Sequence, residues 1–282
     1  MPEYAEVRIQ SEFVNEITKD KVYQKVEKAP KSKVKTDLDL PFSKFKISSM
    51  SNGKQIKFVL SDVDSDKKKY LLIGLGMSGF FLQIRVEAPE SEKTKFEKHG
   101  QLFFTDENNN VLVFHDVRRF GKWKWVEKDE WGKNRGPDPL KENVDFRKTI
   151  LNLKNSNLKT NQKPISELLL NQKYFNGIGN YLRAEIVYRL NDINPWKTLS
   201  KFNDNEIERL INVCQECCQM SYNLQSPYNQ ENYQENIISW KKVYSKKNSS
   251  FITDKTNRVF WFDRKWNDFV PNIYLKKKHK LI

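Results

Sequence analysis

The amino-acid sequence predicts an α+β protein in two parts: an N-terminal helix with an antiparallel β-sandwich, then a helical domain that ends in a β-hairpin. Three observations carry this reading. Apolar residues recur at helical spacing near the start of the chain. Strand-like runs separated by turn signals follow, up to Trp131. Beyond a stretch rich in Gly and Pro the spacing turns helical again, and apolar periodicity is the primary signal of secondary structure.

Residues 3–18 read as a helix. Glu3 and Glu6 occupy a first turn that favours acids, and Val7, Phe13, Val14 and Ile17 form one stripe. The strand candidates are KFKISSM, KQIKFVL, KYLLIGLGM, GFFLQIRV, QLFFTD, VLVFHDV and GKWKWV. β-Branched and aromatic residues dominate them, and turns such as Ser51-Asn52-Gly53 and Glu107-Asn108-Asn109-Asn110 bound them. WGKNRGPDPLKEN (131–143) is polar and reads as a linker. ISELLL (165–170), NYLRAEIVYRL (180–190) and NEIERLINVCQECCQM (205–220) read as helices, the second with Leu182, Ile186, Val187 and Leu190 on one face. FIT (251–253) and RVFWF (258–262) flank a four-residue loop, Asp254-Lys255-Thr256-Asn257, as a hairpin. The expected organisation is a sandwich domain over 1–130, a linker over 131–148, a helical domain over 149–238, and the hairpin with a basic tail over 239–282.

Only 38% of the 282 residues are apolar and 30% are charged, yet 18 Phe, 11 Tyr and 7 Trp argue for packed cores rather than disorder. The net charge of +14 is uneven: from Trp240 to Ile282 twelve Lys/Arg face three Asp. Tyr244, Phe251, Phe260, Trp261 and Phe262 are interleaved there. That mixture suits nucleic acid, and a Lys-rich solubilising surface is the plainer alternative. The first ten residues, MPEYAEVRIQ, lack a basic and an apolar signal region, and no apolar run is long enough to span a bilayer. Cys214, Cys217 and Cys218 lie too close together for a disulfide framework and lack a second ligand pair, so buried helix cysteines and an intracellular chain are expected. No metal and no cofactor is expected.

Three motifs carry chemistry. Pro at position 2 permits removal of Met1, which leaves a secondary amine. A neutral amine can attack a sugar C1′ and form an iminium, with Glu3 beside it as a proton donor to the ring oxygen. Pro-Glu is also simply a good helix start. Asn176-Gly177-Ile178-Gly179-Asn180 opens a helix whose free N–H groups suit a phosphate, although an ordinary interhelical turn explains it equally. Leu75-Gly76-Met77-Ser78-Gly79 and Asp116-Val117-Arg118-Arg119-Phe120-Gly121 place Met77, Arg118 and Phe120 on loops, where such side chains either pack in sheets or enter a base stack.

In this order the motifs resemble the formamidopyrimidine-DNA glycosylase/endonuclease VIII family. The resemblance covers nearly the whole chain: Pro2-Glu3 with Glu6, the Gly53-Lys54 turn, the LGMSG and RRFG loops, GPDPL, and the highly specific NGIGNYLRAEI. The wording is similar to the endonuclease VIII-like branch. It implies damaged DNA as partner, duplex or single-stranded, lying across a cleft between the domains. It implies excision of oxidised bases followed by β,δ-elimination. Pro2 is then the Schiff-base nucleophile and Glu3 the general acid. Lys54 contacts the backbone at the lesion and assists catalysis, with Lys57 as a second candidate. Asn180 and Arg258 hold phosphate, and Met77, Arg118 and Phe120 fill the void left by the flipped base. A monomer is expected, in the nucleus of a eukaryotic cell or host and otherwise in the cytoplasm. The rival is a non-catalytic binder of damaged or single-stranded nucleic acid on the same scaffold, which has no physical need of Pro2, Glu3 and Lys54 together.

The sequence departs from the family at three places. Tyr4-Ala5 follows Pro-Glu instead of Leu-Pro or Gly-Pro, Gly74 precedes LGMSG where His is frequent, and the C-terminal zinc-binding cysteines are missing. FITDKTNRVFWF resembles the zincless version of that finger, with Arg258 in the place of its phosphate-gripping arginine.

Overall fold

A computed structural model describes residues 2–226 and 233–275. The chain divides into two units, the first Met1–Pro2 with Glu6–Lys133, the second Glu3–Ala5 with Asn134–Ile282.

The first unit contains α1 (Tyr4–Thr18) from Glu6 onward, β1 (Tyr23–Lys28), β2 (Phe45–Asn52), β3 (Gln55–Asp62), β4 (Lys68–Gly74), β5 (Phe80–Ile84), α2 (Glu90–Glu97), β6 (Gly100–Asp106), β7 (Val111–His115) and β8 (Lys122–Val126). All eight strands form one antiparallel sheet in the order β5-β7-β6-β1-β2-β3-β4-β8. β1 and β2 pair only at Tyr23 and Phe45, so the sheet folds over at that point. Phe58 of β3 then meets Phe81 of β5 at 5.0 Å and Phe104 of β6 at 5.6 Å, across a core between the two halves. The period-two pattern of β2 buries Phe45, Ile47 and Ser49 and exposes Lys46, Ser48 and Met50.

Helix α1 closes the gap that the fold leaves. The Asn15 amide donates to the Ser49 carbonyl of β2 at 2.8 Å and accepts from the Ser49 N–H at 2.7 Å. Gln10 accepts from the Phe81 N–H on the edge strand β5. An unpaired strand edge invites pairing with another chain, and these two side chains satisfy part of the edge strand β5 and part of β2 beyond its single pairing with β1.

The second unit contains α3 (Asn143–Lys154), α4 (Ile165–Leu168), α5 (Asn180–Arg189), α6 (Asp204–Gln225), α7 (Tyr233–Trp240), the hairpin β9 (Ser250–Thr253) and β10 (Val259–Phe262), and α8 (Asn272–Leu275). Its core joins Tyr4, Phe146, Phe175, Leu182, Ile186, Leu210 and the inner hairpin residues Phe260 and Phe262. Cys214, Cys217 and Cys218 lie in this core as free thiols, and burial pushes Cys217 up to about 12. Among the described residues no group of three His, Cys, Asp or Glu could hold a metal, and no helix is long and apolar enough to cross a membrane.

Several elements differ from expectation. The polar helix α2 and the short strand β1 were not individually legible, and α7 follows a segment with no clear period. Helix α3 starts at Asn143, within the stretch read as linker. The hairpin loop has five residues, not four. The named strands end at Thr253 and Val259, and beyond them the Asp254 N–H donates to the Arg258 carbonyl at 2.9 Å while Asp254 Oδ1 accepts from the Arg258 N–H at 3.1 Å. The basic tail over 276–282 lies outside the described residues.

Helix α6 is the longest, and a capping box starts it. Asn203 accepts from the Glu206 N–H at 2.9 Å while Glu206 accepts from the Asn203 N–H at 2.8 Å. Asn203→Ala should lower stability by about 1 kcal/mol, read as a lower midpoint in urea unfolding followed by circular dichroism. An unchanged midpoint would remove the cap from the account of α6.

Candidate functional site

In the second unit the chemistry-bearing residues gather at the N-terminus of α5. The first helical N–H groups have no partner within their own helix and carry partial positive charge. Glu3 supplies the partner. Its side chain is buried, and its carboxylate accepts from the N–H groups of Gly179 at 2.9 Å, Tyr181 at 2.9 Å and Leu182 at 3.1 Å. Three donors at a helix terminus fix the orientation of this carboxylate. Pro2, directly before it, is half-buried. The unusual Tyr4 is an anchor for this arrangement. It is buried, its N–H donates to the Gly177 carbonyl at 3.0 Å, and its hydroxyl donates to Asp138 at 3.0 Å.

Asn180 begins α5 between the residues that hold Glu3. Its amide nitrogen donates to the Val259 carbonyl of β10 at 2.8 Å, and its amide oxygen accepts from the Arg183 guanidinium. Arg183 is fully buried. It pairs with the equally buried Asp254 at 2.6 Å, donates to the Ser166 carbonyl at 3.2 Å, and lies 4.7 Å from the Phe260 ring centroid. Burial pulls the Arg183 guanidinium below its ordinary value, which the Asp254 carboxylate opposes. Burial pushes the Asp254 carboxyl up, but hydrogen bonds from Thr256 and Arg183 outweigh it and leave it lowered. The other oxygen of Asp254 accepts from the N–H groups of Thr256 and Arg258 and from the Thr256 hydroxyl, which shapes the hairpin loop. Arg258 is exposed on that loop.

The buried acid of α5 itself, Glu185, fixes the segment before the hairpin. Glu185 accepts from three consecutive N–H groups, those of Lys242, Val243 and Tyr244, each at about 3.0 Å, and pairs with Arg189 at 2.7 Å. Burial, reinforced by the Glu3 carboxylate, pushes the Tyr244 hydroxyl above its ordinary value.

The first unit holds the other predicted residues. Lys54 is half-buried at the tip of the two-residue β2–β3 turn, after Gly53 at φ +54°. Lys57 is buried and committed to an ion pair with Asp129 and to the Trp131 ring at 4.2 Å. Met77, Arg118 and Phe120 are all exposed, Met77 at 40% and Phe120 at 49%, and the Arg118 guanidinium lies 5.0 Å from the Phe120 ring centroid. Buried Asp116 ties their two loops together, accepting from the Ser78 hydroxyl at 2.5 Å and the Gly121 N–H at 2.6 Å. Gly76 has φ +65°, and a Cβ there would lie 2.6 Å from the backbone of Phe120 and Gly121. Glycine is required for that approach.

Sequence reasoning missed Arg183, Glu185, Asp254 and Asp116. One signal was present for the α5 pair. Positions 183 and 185 are about 200° apart on a helix, so no single polar face can expose both. With Leu182, Ile186 and Val187 around them, at least one charge had to be buried.

The sequence matches the family model for the formamidopyrimidine-DNA glycosylase N-terminal domain over residues 1–123 and that for its H2TH domain over residues 135–227. It is 31% identical to human Endonuclease 8-like 1 over 313 aligned positions, covering 99% of this chain and 77% of that protein. It is 32% identical to a formamidopyrimidine-DNA glycosylase of Rickettsia felis, covering 77% and 75%. In fold it is similar to Lactococcus lactis formamidopyrimidine-DNA glycosylase solved with DNA containing an abasic site, with a TM-score of 0.74, 21% identity and coverage of 93% and 97%. The Thermus thermophilus protein gives a TM-score of 0.71 at 21% identity, covering 94% and 98%.

Glu185→Ala would leave three N–H groups without their acceptor. Losing one partner of a buried charged set costs about 3 kcal/mol, so amide exchange at 242–244 should accelerate by about a hundredfold while the middle of α6 changes little. Uniform acceleration across both would mean that Glu185 supports the whole unit and not this segment.

Proposed function

The chain belongs to the formamidopyrimidine-DNA glycosylase/endonuclease VIII family, and on that premise we propose that it is a bifunctional DNA glycosylase and abasic-site lyase acting on oxidised bases. The observation that carries this is the fixed Glu3 carboxylate, bonded to a helix terminus one residue from the proposed amine. Pro2 is the nucleophile once Met1 is removed. An N-terminal amine titrates near 8, so a fraction is neutral at physiological pH.

The environment of Glu3 refines its proposed role. Its carboxylate is buried and held by three backbone N–H groups, so in this reading it carries a proton between the Pro2 nitrogen and the ring oxygen from a fixed position. The Pro2 nitrogen bonds to C1′ and the damaged base departs with the electrons of the glycosidic bond. Glu3 takes the proton that the nitrogen loses. The C1′–O4′ bond then opens, its electrons go to the ring oxygen, and the oxygen takes the proton from Glu3. The product is an iminium on Pro2. It acidifies the C2′ proton, and loss of that proton expels the 3′ phosphate; a second elimination releases the 5′ phosphate.

Lys54 contacts the backbone at the lesion in this reading. Asn180 and Arg258 hold phosphate, a role that suits an amide at a helix N-terminus and an exposed guanidinium on a neighbouring loop. Met77, Arg118 and Phe120 fill the space of the extruded base; their exposure on two joined loops supports this.

Borohydride should trap a covalent protein–DNA adduct with its mass on the N-terminal peptide. An N-terminal tag that places Pro2 inside the chain should abolish excision and trapping while DNA binding survives. Normal excision by tagged protein, or an adduct on Lys54, would overturn the Pro2 mechanism; binding without any excision by the untagged protein would favour the non-catalytic reading.

Replacing Met77, Arg118 and Phe120 together by Ala should lower excision from duplex by about tenfold or more relative to single-stranded substrate. Extraction of a paired base costs a few kcal/mol that a wedge offsets, and an unpaired base lacks most of that cost. Equal losses on both substrates would assign the three residues to the stability of their loops.

A further inference from the structure

We propose that the buried pair Arg183–Asp254 is a positioning device that sets Asn180 and Arg258 together for one phosphate-binding site. This rests on the reading of those two residues as phosphate contacts.

The hydrogen bonds run in one chain. Arginine only donates, so the Asn180 atom facing Arg183 must be the amide oxygen. The amide nitrogen is thereby turned the other way, where it donates to the Val259 carbonyl and has the Tyr244 hydroxyl as a further partner, and a ligand oxygen would take the place of that hydroxyl. Without Arg183 the amide could rotate and present its oxygen, which repels an anion. The other end of Arg183 grips one oxygen of Asp254 at 2.6 Å. The second oxygen of Asp254 accepts the N–H of Arg258 at 3.1 Å and that of Thr256 at 2.8 Å. The loop geometry that presents Arg258 is therefore set by Asp254, and Asp254 is set by Arg183. Phe260 under the guanidinium and the Ser166 carbonyl beside it hold the fork in place. A planar fork is needed, since it must reach Asp254 and Asn180 at once; an ammonium group is a single point of charge.

The test uses the full-length protein and a duplex carrying a tetrahydrofuran abasic-site analogue. Arg183→Lys keeps the charge and removes the fork. It should weaken binding about tenfold, the size expected of a lost charge-assisted contact. It should also flatten the plot of log affinity against log salt by about one, as loss of a phosphate-bound arginine does. Arg183 is buried and keeps its charge in this variant, so a merely structural role would not move that slope. In an Asn180→Ala/Arg258→Ala background the same change should cost less than about twofold, because residues acting in one network are non-additive. Should Arg183→Lys fail to fold, Asp254→Asn keeps an acceptor oxygen for the loop, removes the charge that grips Arg183, and should give the same pattern. An unchanged slope, or an equal loss in both backgrounds, overturns the proposal while Asn180→Ala and Arg258→Ala still weaken binding. If those two variants bind as the unaltered protein does, the phosphate reading itself has failed and the positioning role falls with it.

Discussion

A charge removed from water must find a partner, and α5 removes several. Arg183 and Glu185 are both fully buried on a ten-residue helix whose N-terminus also faces the buried Glu3. An uncompensated buried charge costs several kcal/mol, so each one dictates what the chain around it must do. Glu3 requires the amides of Gly179, Tyr181 and Leu182. Arg183 requires Asp254, and through it a loop of defined shape. Glu185 requires three consecutive amides at 242–244. The start of the chain, the central helix and the hairpin are thus fixed against one another by electrostatics within the second unit, and the apolar core fills the remaining space.

Such an arrangement favours order over raw stability. Apolar groups of similar volume often stabilise as much as a buried ion pair. They would also let the helix rotate or the hairpin slide by fractions of an ångström. Directional hydrogen bonds do not permit that. A site that must hold reacting atoms in line gains from this restriction, since misplacement by about 1 Å can lower a rate a hundredfold.

The sequence revealed most of what is local. Strands with period-two burial, such as β2, and helices with an apolar stripe, such as α6, were legible because their patterns repeat over several turns or pleats. The hairpin was legible from two aromatic runs around polar residues. Helix α2 was not, because EKTKFE-like composition on a surface carries no stripe. Pro2-Glu3 and the start of α5 at Asn180 stood out as motifs with a plainer reading beside each, whereas Lys54 and Arg258 were readable only through family resemblance. The pairings of the supporting residues were not readable: Arg183 and Asp254 are 71 positions apart, and Asp116 meets Ser78 across 38. Long-range pairing depends on the fold, and no local period encodes it. Lys57 illustrates the converse. It lies near the Gly53-Lys54 turn in sequence, but the pleat turns it toward Asp129 and Trp131.

The fastening of the hairpin has a consequence for durability under oxidative stress. Thiolates in a metal site are attacked by peroxide and lose their metal, whereas a carboxylate and a guanidinium have no place on that ladder of reactions. The hairpin is held by Arg183 and Asp254, and the segment before it by Glu185 and backbone amides. The three cysteines of the chain are buried in α6 with thiols pushed up by burial, which leaves little of the reactive thiolate. The described fastenings would therefore outlast a burst of the same reactive oxygen that damages bases.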